Sequence, residues 1–496
     1  MDTYQNYIDG QWVPARSGRT FTRENPATGE PLAAFPNSDR DDVAAAAEAA
    51  ARALPKWKAT PAPKRGEILF RAAQMLLQRK EELARDIVLE MGKVITEARG
   101  DVQEGIDMTF YMAGEGRRQF GITTPSELPD KFCMAIRQPK GVVGAITPWN
   151  FPIAIPTWKI MPALVTGNTV VFKPSQWAPK SAWNLVKILE EAGLPPGVLN
   201  LVFGEGPDTG KAVVDDPRIT FISFTGSNAV GTEVARRCAE LGKGVALEMG
   251  GKNAIIIMDD ADLNLALDGV IWSAFGTSGQ RCTAASRVIA HKAILDEFQT
   301  RLVERVQRLR LGSGLEPDTD VGPIVSAPQL AKVESYIPVG IQEGAKVAVG
   351  GGRPKDGPLA RGYFFEPTVF IDARPTMRIA QEEIFGPVTA VIRADSLDEA
   401  IEINNNVPYG LSSSIYTRDI NKAFRAIERI TTGLVYVNAG TIGAEVHLPF
   451  GGTKGTGNGH REAGQAALDT YTEWKSVFID YSGRLQRAQI DTPLLS

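Results

Sequence analysis

The sequence predicts an α/β protein of two tandem open α/β units with a projecting β-arm. Three observations carry that expectation. From Gly141 onward, short apolar runs rich in β-branched residues alternate with helical stretches, the pattern of a parallel sheet with crossover helices. A second series of the same kind starts at Asn253. Two extended segments, Leu128–Gln138 and the second half of Leu468–Phe478, belong to neither core and read as an arm able to add to a neighbouring subunit's sheet.

The elements follow in order. Tyr7-Ile8-Asp9-Gly10-Gln11-Trp12-Val13 alternates like a hairpin. Asp41–Ala53 and Lys64–Gly100 are rich in Ala, Leu, Glu and Arg, with apolar residues three and four apart, and read as long amphipathic helical stretches. Buried strands are expected at Val142–Ile146, Thr169–Phe172, Leu199–Phe203, Ile219–Phe224 and Val245–Leu247. In the second unit the expected strands are Asn253–Met258, Val288–Ala290 and Val388–Ile392, with a helix over Leu295–Leu309. There is no repeat or low-complexity segment.

Composition narrows the function classes. A chain of 496 residues exceeds what one hydrophobic core serves, and 43% hydrophobic with 23% charged residues is ordinary for a soluble globular protein. Lys+Arg 54 against Asp+Glu 58 leaves a net charge of -4, so no basic excess points to nucleic acid or an anionic membrane. No apolar run reaches membrane-spanning length, and Met1-Asp2-Thr3-Tyr4-Gln5-Asn6 lacks the basic flank and apolar run of a signal peptide. Cys133, Cys238 and Cys282 leave an odd thiol, which argues against a disulfide framework and for a cytoplasmic setting. His291, His447 and His460 lie outside any Cys/His ligand spacing, so no metal site is expected.

The strongest chemical signal is Cys282, in Phe275-Gly276-Thr277-Ser278-Gly279-Gln280-Arg281-Cys282-Thr283. A thiol attacks as thiolate, which calls for partial exposure and nearby donors or positive charge, and Arg281 adjoins it. Cys133 and Cys238 fit a buried structural thiol; Gly279-Gln280-Arg281 is a poor core sequence. Glu248 closes an apolar strand, where partial burial would raise its pKa toward that of a general base, though an ordinary exposed strand-end acid fits too. Asn150, between Trp149 and Phe151, is either an oxyanion donor or a turn-former. Thr225-Gly226-Ser227 opens into a helix whose free N–H groups favour a pyrophosphate. Gly204-Glu205-Gly206-Pro207-Asp208-Thr209-Gly210 places Gly210 one residue too far for the usual dinucleotide fingerprint after Gly206. Both turns also fit plain βα connections. Lys173 ends a strand at the edge where open α/β sheets bind ligands, as a ribose or ribose-phosphate contact or as a solvated lysine.

Taken together, these residues resemble the aldehyde dehydrogenase superfamily along nearly the whole chain. Pro148-Trp149-Asn150-Phe151-Pro152, Lys173-Pro174-Ser175, Phe224-Thr225-Gly226-Ser227, Leu247-Glu248-Met249-Gly250-Gly251-Lys252, Gly279-Gln280-Arg281-Cys282, Glu383-Ile384-Phe385-Gly386-Pro387 and Pro449-Phe450-Gly451-Gly452 occur in the family's order. The resemblance implies that Cys282 attacks an aldehyde carbon, that Asn150 and the Cys282 N–H hold the oxyanion, and that hydride passes to NAD or NADP. Glu248 would then activate water to hydrolyse the thioester, and Lys159 would assist proton exit. Ile146, Trp149, Lys173, Ser175, Ser227, Glu383 and Phe385 match the family's cofactor contacts, with Phe224, Gly226, Gln176, Gly206 and Gly210 beside them. Phe151, Trp158, Thr283 and Phe450 are placed in the aldehyde tunnel. The implied organisation is a Rossmann-like cofactor domain over 1–118 and 140–250, a catalytic domain over 251–454 and an oligomerisation arm over 119–139 and 466–496, in a homodimer or homotetramer.

Departures from the family pattern matter too. Gln176 replaces the glutamate of strictly NAD-dependent members, so its amide does not repel a 2′-phosphate and the choice between NAD and NADP stays open. Ala444 stands where some members carry an aromatic, which implies a differently shaped tunnel entrance. Arg281 resembles members that take aldehydes bearing a carboxylate or phosphate, such as an ω-semialdehyde; the other reading is an ion pair inside the protein. Two further classes compete: a cysteine ester or thioester hydrolase without nicotinamide, against which Glu383-Ile384-Phe385 argues, and a catalytically silent structural protein, against which intact Cys282, Glu248 and Asn150 argue.

Overall fold

The computed structural model describes residues 1–490. Its first open sheet has seven strands in the order Gly244–Glu248, Phe221–Thr225, Val142–Ile146, Thr169–Lys173, Leu199–Leu201, Asn6–Ile8, Gln11–Val13. The first five run parallel, and the last two are the expected hairpin, added antiparallel. Asp9 and Gly10, at φ 53° and 77°, make the left-handed turn that an Asp-Gly pair favours between two strands. Sequence order reverses between Val142–Ile146 and Phe221–Thr225. Such a reversal opens a crevice at the carboxyl ends of the strands, where this class of sheet binds ligands.

The second sheet also has seven strands, ordered Lys346–Val349, Thr368–Ala373, Val388–Ala394, Ala285–His291, Asn253–Ile257, Ser412–Tyr416, Leu434–Val437, all parallel except the first. The first sheet forms from the runs expected of it, with ends moved by a few residues; in the second, Asn253–Ile257, Ala285–His291 and Val388–Ala394 match expected strands, while Lys346–Val349, Thr368–Ala373, Ser412–Tyr416 and Leu434–Val437 have no counterpart among the expected strands. Among the described residues no helix is long and apolar enough to cross a membrane.

The stretch Lys64–Gly100 is not continuous. It divides into helices Ala62–Gln78, Lys80–Met91 and the start of Ile95–Glu115. Gly92 ends the second at φ +94°, and a Cβ there would meet the Pro323 ring at 2.6 Å, so the chain turns where only glycine fits.

The arm is a three-stranded antiparallel sheet ordered Thr472–Asp480, Lys131–Pro139, Ile122–Pro125. Its outer strand exposes Trp474, Phe478 and Ile479. Residues 466–471, expected in the arm, instead form the helix Ala466–Tyr471, because Ala467, Leu468 and Tyr471 are buried in the core of the first unit. Positions 491–496 of the expected arm lie outside the described residues.

One buried ion pair ties the helical layer to the crevice. Lys93 Nζ lies 2.9 Å from Asp101 Oδ2 with both side chains fully buried, and Asp101 Oδ1 accepts the Ala154 N–H at 2.8 Å. The Lys93 ammonium also sits 3.9 Å from the centre of the Phe151 ring. Removing one partner strands the other charge, so Asp101→Ala is expected to lower stability by about 3 kcal/mol or more. Denaturant unfolding of the two proteins measures this; a loss below about 1 kcal/mol would mean the pair carries no such load.

Candidate active site

Parallel register assembles one wall of the site. It places Ile146 opposite Lys173, Phe224 opposite Ile146, and Thr225 opposite Glu248. Ile146, Lys173, Phe224 and Glu248 thus share the carboxyl edge of the first sheet. Facing them are residues that precede strands of the second sheet: Cys282 before Ala285–His291, and Glu383 with Phe385 before Val388–Ala394.

Residues 276–280, whose small side chains read as flexible, are buried and held, while Cys282 itself is half-buried. Thr277, Ser278 and Gly279 all have positive φ (52°, 56° and 66°), a costly backbone that persists only when its surroundings fix it. Glu97 Oε2 accepts the Thr277 N–H at 2.6 Å, Ser278 Oγ donates to Gly322 O at 2.7 Å, and Gln280 Oε1 accepts the Val325 N–H at 3.0 Å. Asn253 Nδ2 donates to the Cys282 carbonyl at 2.7 Å and to that of Ala284 at 3.0 Å. The Cys282 N–H itself donates to no described group of the chain. Asn150, only 3% exposed, likewise bonds nothing through its side chain. No side-chain bond to the local backbone supports a turn-former; Asn150 and the Cys282 N–H are two uncommitted donors beside one thiol.

That thiol is not activated by positive charge. Burial pushes Cys282 up to about 12, and Glu383, Glu248, Glu104 and Glu462 push the same way. Arg281, expected to help, is turned aside: its Nη2 pairs with Glu97 Oε1 at 3.1 Å and its Nε donates to Thr277 Oγ1 at 3.0 Å.

Glu248 is 5% exposed, and neither of its oxygens completes a hydrogen bond among the described residues. Burial first, then the neighbouring Glu462 carboxylate, holds it well above the usual carboxylate range, against Lys159 and Arg461. Its strand end is locked by Met249 N donating to Thr456 O at 2.7 Å and Thr456 Oγ1 donating to Gly250 O at 2.8 Å. Lys159 is fully buried, paired with Glu462 and within 3.2 Å of Ser223 Oγ, which lies 2.9 Å from the Tyr471 hydroxyl. A proton on Glu248 therefore has a polar chain beside it.

Two cavities meet at Cys282. The first lies in the crevice and is lined by Trp149, Asn150, Gly226, Ser227, Glu383 and Phe385, among others. Trp149 and Phe385 pack edge to face at 5.4 Å. Phe385, at φ +60°, is held by Gln329 Nε2 donating to its carbonyl at 2.9 Å, and Glu383 Oε1 accepts the Gly251 N–H at 3.0 Å. A Cβ on Gly250 would sit 2.4 Å from the Glu383 carboxylate, so glycine is what lets that acid approach.

The donors along this edge fit a dinucleotide. Lys173, 5% exposed and pushed down to about 8 by burial, makes no hydrogen bond through its side chain among the described residues. Ser227 begins the helix Asn228–Glu240 without capping its N–H groups through its side chain. Ser175 Oγ is spent on the Trp177 N–H at 3.2 Å, shaping the turn. Gln176 Oε1 accepts the Gly206 N–H at 3.1 Å, and Gly210 leads into only a short helix, Lys211–Asp215, so that turn is held by Gln176. A Cβ on Gly226 would strike the Phe224 ring at 2.6 Å, so this glycine also serves packing.

The second cavity runs away from the first and carries Glu248, Phe151, Trp158, Arg281, Thr283 and Phe450, with Ala444 and Glu104 further along its wall. Trp158 and Phe450 meet edge to face at 4.9 Å, and the Phe151 ring lies between Lys93 and the Arg281 guanidinium, 5.2 Å away. Of the residues expected around the thiol, Glu248, Phe151, Trp158, Arg281, Thr283 and Phe450 line this cavity, Asn150 lines the first, and Lys159 lines neither. Sequence reasoning missed Glu97, Glu104, Asn253, Gln329 and Glu462. Asn253 adjoins a quoted motif and opens a strand, a signal that was available; the others sit on helices or in loops with nothing to mark them.

The aldehyde dehydrogenase family model matches residues 12–477. The α-ketoglutaric semialdehyde dehydrogenase of Bacillus subtilis is 43% identical over 480 residues, covering 97% of this chain and 98% of that protein. The glutarate-semialdehyde dehydrogenase of Pseudomonas putida is 38% identical over 475 residues, 96% of this chain and 97% of that one. Among solved structures, the betaine aldehyde dehydrogenase of Staphylococcus aureus in complex with NAD+ superposes with a TM-score of 0.95 at 36% identity, covering 97% of this chain and 95% of that chain.

The raised thiol makes a direct prediction. With Cys282 at about 12, its thiolate fraction rises about tenfold per pH unit through neutral pH. Iodoacetamide labelling of the Cys282 peptide in the protein without ligands, followed by mass spectrometry, is expected to accelerate steadily from about pH 7 to about pH 10; a plateau below about pH 8 would show an activated thiolate instead.

Proposed function

This chain belongs to the aldehyde dehydrogenase family, and we propose that it oxidises an ω-oxo carboxylate, a semialdehyde, to the dicarboxylate with NAD as the hydride acceptor. The observation that carries the reaction is the meeting of the two cavities at Cys282, with Asn150 on one side and Glu248 on the other. The carboxylated substrate is supported by Arg281. Glu97 and Thr277 take its Nη2 and Nε, while Nη1 has no hydrogen bond among the described residues and the side chain lines the tunnel. The internal ion pair thus aims the guanidinium and leaves one edge for an anion. The semialdehyde dehydrogenases among its relatives agree with that choice.

The residues act in sequence. Glu248, with its raised pKa, takes the Cys282 proton, since no cation stabilises the thiolate. The sulfur bonds to the aldehyde carbon, and the displaced electron pair settles on an oxygen held by the Asn150 amide and the Cys282 N–H. Trp149, Phe385 and Ser227 would hold the nicotinamide ring, which would supply the hydride acceptor; loss of hydride from the carbon leaves a thioester on Cys282. Glu248 hands that first proton on and then draws a second from water, the new oxygen–carbon bond forms, and the carbon–sulfur bond breaks with its electron pair returning to sulfur, which is reprotonated. The proton moves off toward Glu462, Lys159 and Ser223.

Lys173, with Ser175 behind it, faces the ribose side. Glu205 stands near enough to lift the Lys173 amine, and Asn37 Nδ2 fixes its carboxylate at 3.0 Å. This acid offers what Gln176 lacks, a carboxylate for ribose hydroxyls and a charge that repels a 2′-phosphate, so NAD is the preferred cofactor. The exposed outer strand of the arm, with Trp474, Phe478 and Ile479, fits burial against a second copy in a homodimer or homotetramer. The unpaired Cys133, Cys238 and Cys282 fit a cytoplasmic enzyme.

Reduced-cofactor formation over a panel of aldehydes tests this reading. Cys282→Ala should lose at least about a thousandfold in rate, and Glu248→Gln should release about one reduced cofactor per site before stalling. Undiminished turnover by Cys282→Ala refutes the nucleophile. Glu205→Gln should narrow the preference for NAD over NADP by about tenfold or more; an unchanged ratio would remove Glu205 from cofactor selection.

A further inference from the structure

The tunnel holds a carboxyl group that the proposed mechanism leaves idle. Glu104, on the helix Ile95–Glu115, lines the same cavity as Cys282, Phe151 and Arg281. Among the described residues nothing donates a hydrogen bond to it and no cation pairs with it. The other acids of that helix nearby are committed: Asp101 to Lys93 and Ala154, Glu97 to Thr277 and Arg281, and Asp107 to Gln103. An uncommitted carboxyl in a largely aromatic passage, facing a guanidinium whose partner is already supplied, is placed to read what enters.

We propose that Glu104 determines specificity within this cavity: beside Arg281 it donates a hydrogen bond to the terminal carboxylate of an ω-oxo acid while it carries its proton, and once ionised it turns that substrate away. This rests on the semialdehyde reading above. Burial, then Asp101 and Asp107 on its own helix, push the Glu104 carboxyl up to about 8, while Arg281 from the nucleophile loop and Lys93 pull it down. The remaining titratable groups facing it are Cys282 and, from the strand Leu434–Val437, Tyr436; burial first, then Glu383, Glu248, Glu104 and Glu462 for Cys282 and Glu104 and Glu445 for Tyr436, hold both up to about 12, so both stay neutral. The donor is thus present at neutral pH and lost as pH rises through about 8.

The test is the ratio of KM for glutaric semialdehyde to KM for pentanal, which share a carbon chain and the chemical step. It is read between about pH 6 and about pH 9 in wild type, Glu104→Gln and Glu104→Leu. In wild type the ratio should stay low below about pH 8 and climb toward about tenfold per unit above it. Glu104→Gln keeps a donor that does not ionise, so its ratio should be low and flat. Glu104→Leu has none, so its ratio should be flat and raised by about tenfold. Activity on pentanal reports that each variant is folded. A pH-independent wild-type ratio, a Glu104→Leu ratio equal to wild type at low pH, or a preference for an ω-amino aldehyde that Glu104→Gln abolishes would overturn the role given to Glu104 while leaving aldehyde oxidation intact. A wild type that shows no preference for glutaric semialdehyde over pentanal at any pH overturns the semialdehyde reading and the role of Glu104 with it.

Discussion

The hydrogen bond from the Asn253 side chain to the Cys282 carbonyl, 2.7 Å long, is the constraint on which the rest of the site depends. Asn253 opens a central strand of the second sheet, and the chain between it and Glu248, the last residue of a strand in the first sheet, is only Met249-Gly250-Gly251-Lys252. That short span is a ruler. One end fixes Glu248, the proposed base, and the other fixes the backbone of Cys282, the proposed nucleophile, so the separation of carboxylate and thiol follows from covalent geometry more than from side-chain choice. The two glycines keep the ruler thin: a Cβ on Gly250 would collide with Glu383, and one on Gly251 would lie 2.7 Å from the Cys282 carbonyl oxygen. The arrangement also explains why the Cys282 N–H is left over for an oxyanion, since its carbonyl is committed in the other direction.

Electrostatically the centre is built from acids. Glu248, Glu383, Glu104 and Glu462 surround a thiol that no cation assists, and the cations nearby are engaged with other acids, Lys159 with Glu462 and Arg281 with Glu97. A thiol held near 12 is a weak nucleophile at rest and also a poor target for oxidants, because both reactions proceed through the thiolate. The same burial that protects it raises Glu248 into the range where it can exchange a proton with sulfur or water. Resting inertness and a competent base have one physical cause.

Much of this was legible in the sequence, and the reason is local. Parallel strands buried on both faces tend to be short apolar runs, so the first sheet and three strands of the second could be drawn from β-branched segments, whereas a serine-rich strand such as Ser412–Tyr416 could not. Residues that end such strands, Lys173 and Glu248 among them, fall at the ligand edge by topology alone. Cys282, Asn150, Trp149 and Phe385 came with quoted motifs, and the structure gathers them around two joined cavities. What stayed hidden was made by contacts distant in sequence. Glu97 grips the nucleophile loop from 180 residues away, and Lys159 meets Glu462 across 303. Neither acid stands in a pattern that marks it. Arg281 shows the same limit from the other side: adjacency to Cys282 in the chain implied electrostatic help, but its guanidinium is held by Glu97, and only the folded chain reveals which way it points.

The ruler and the two donors beside the thiol stand or fall on where the acyl group resides. Glu248→Gln mixed with NAD and glutaric semialdehyde, quenched in acid within one turnover and digested, lets mass spectrometry weigh the peptide that carries Cys282. The account predicts that peptide heavier by the acyl group and no other site modified. Reduced cofactor formed in equal amount while the Cys282 peptide stays unmodified, or an acyl group found on a different residue, would contradict it.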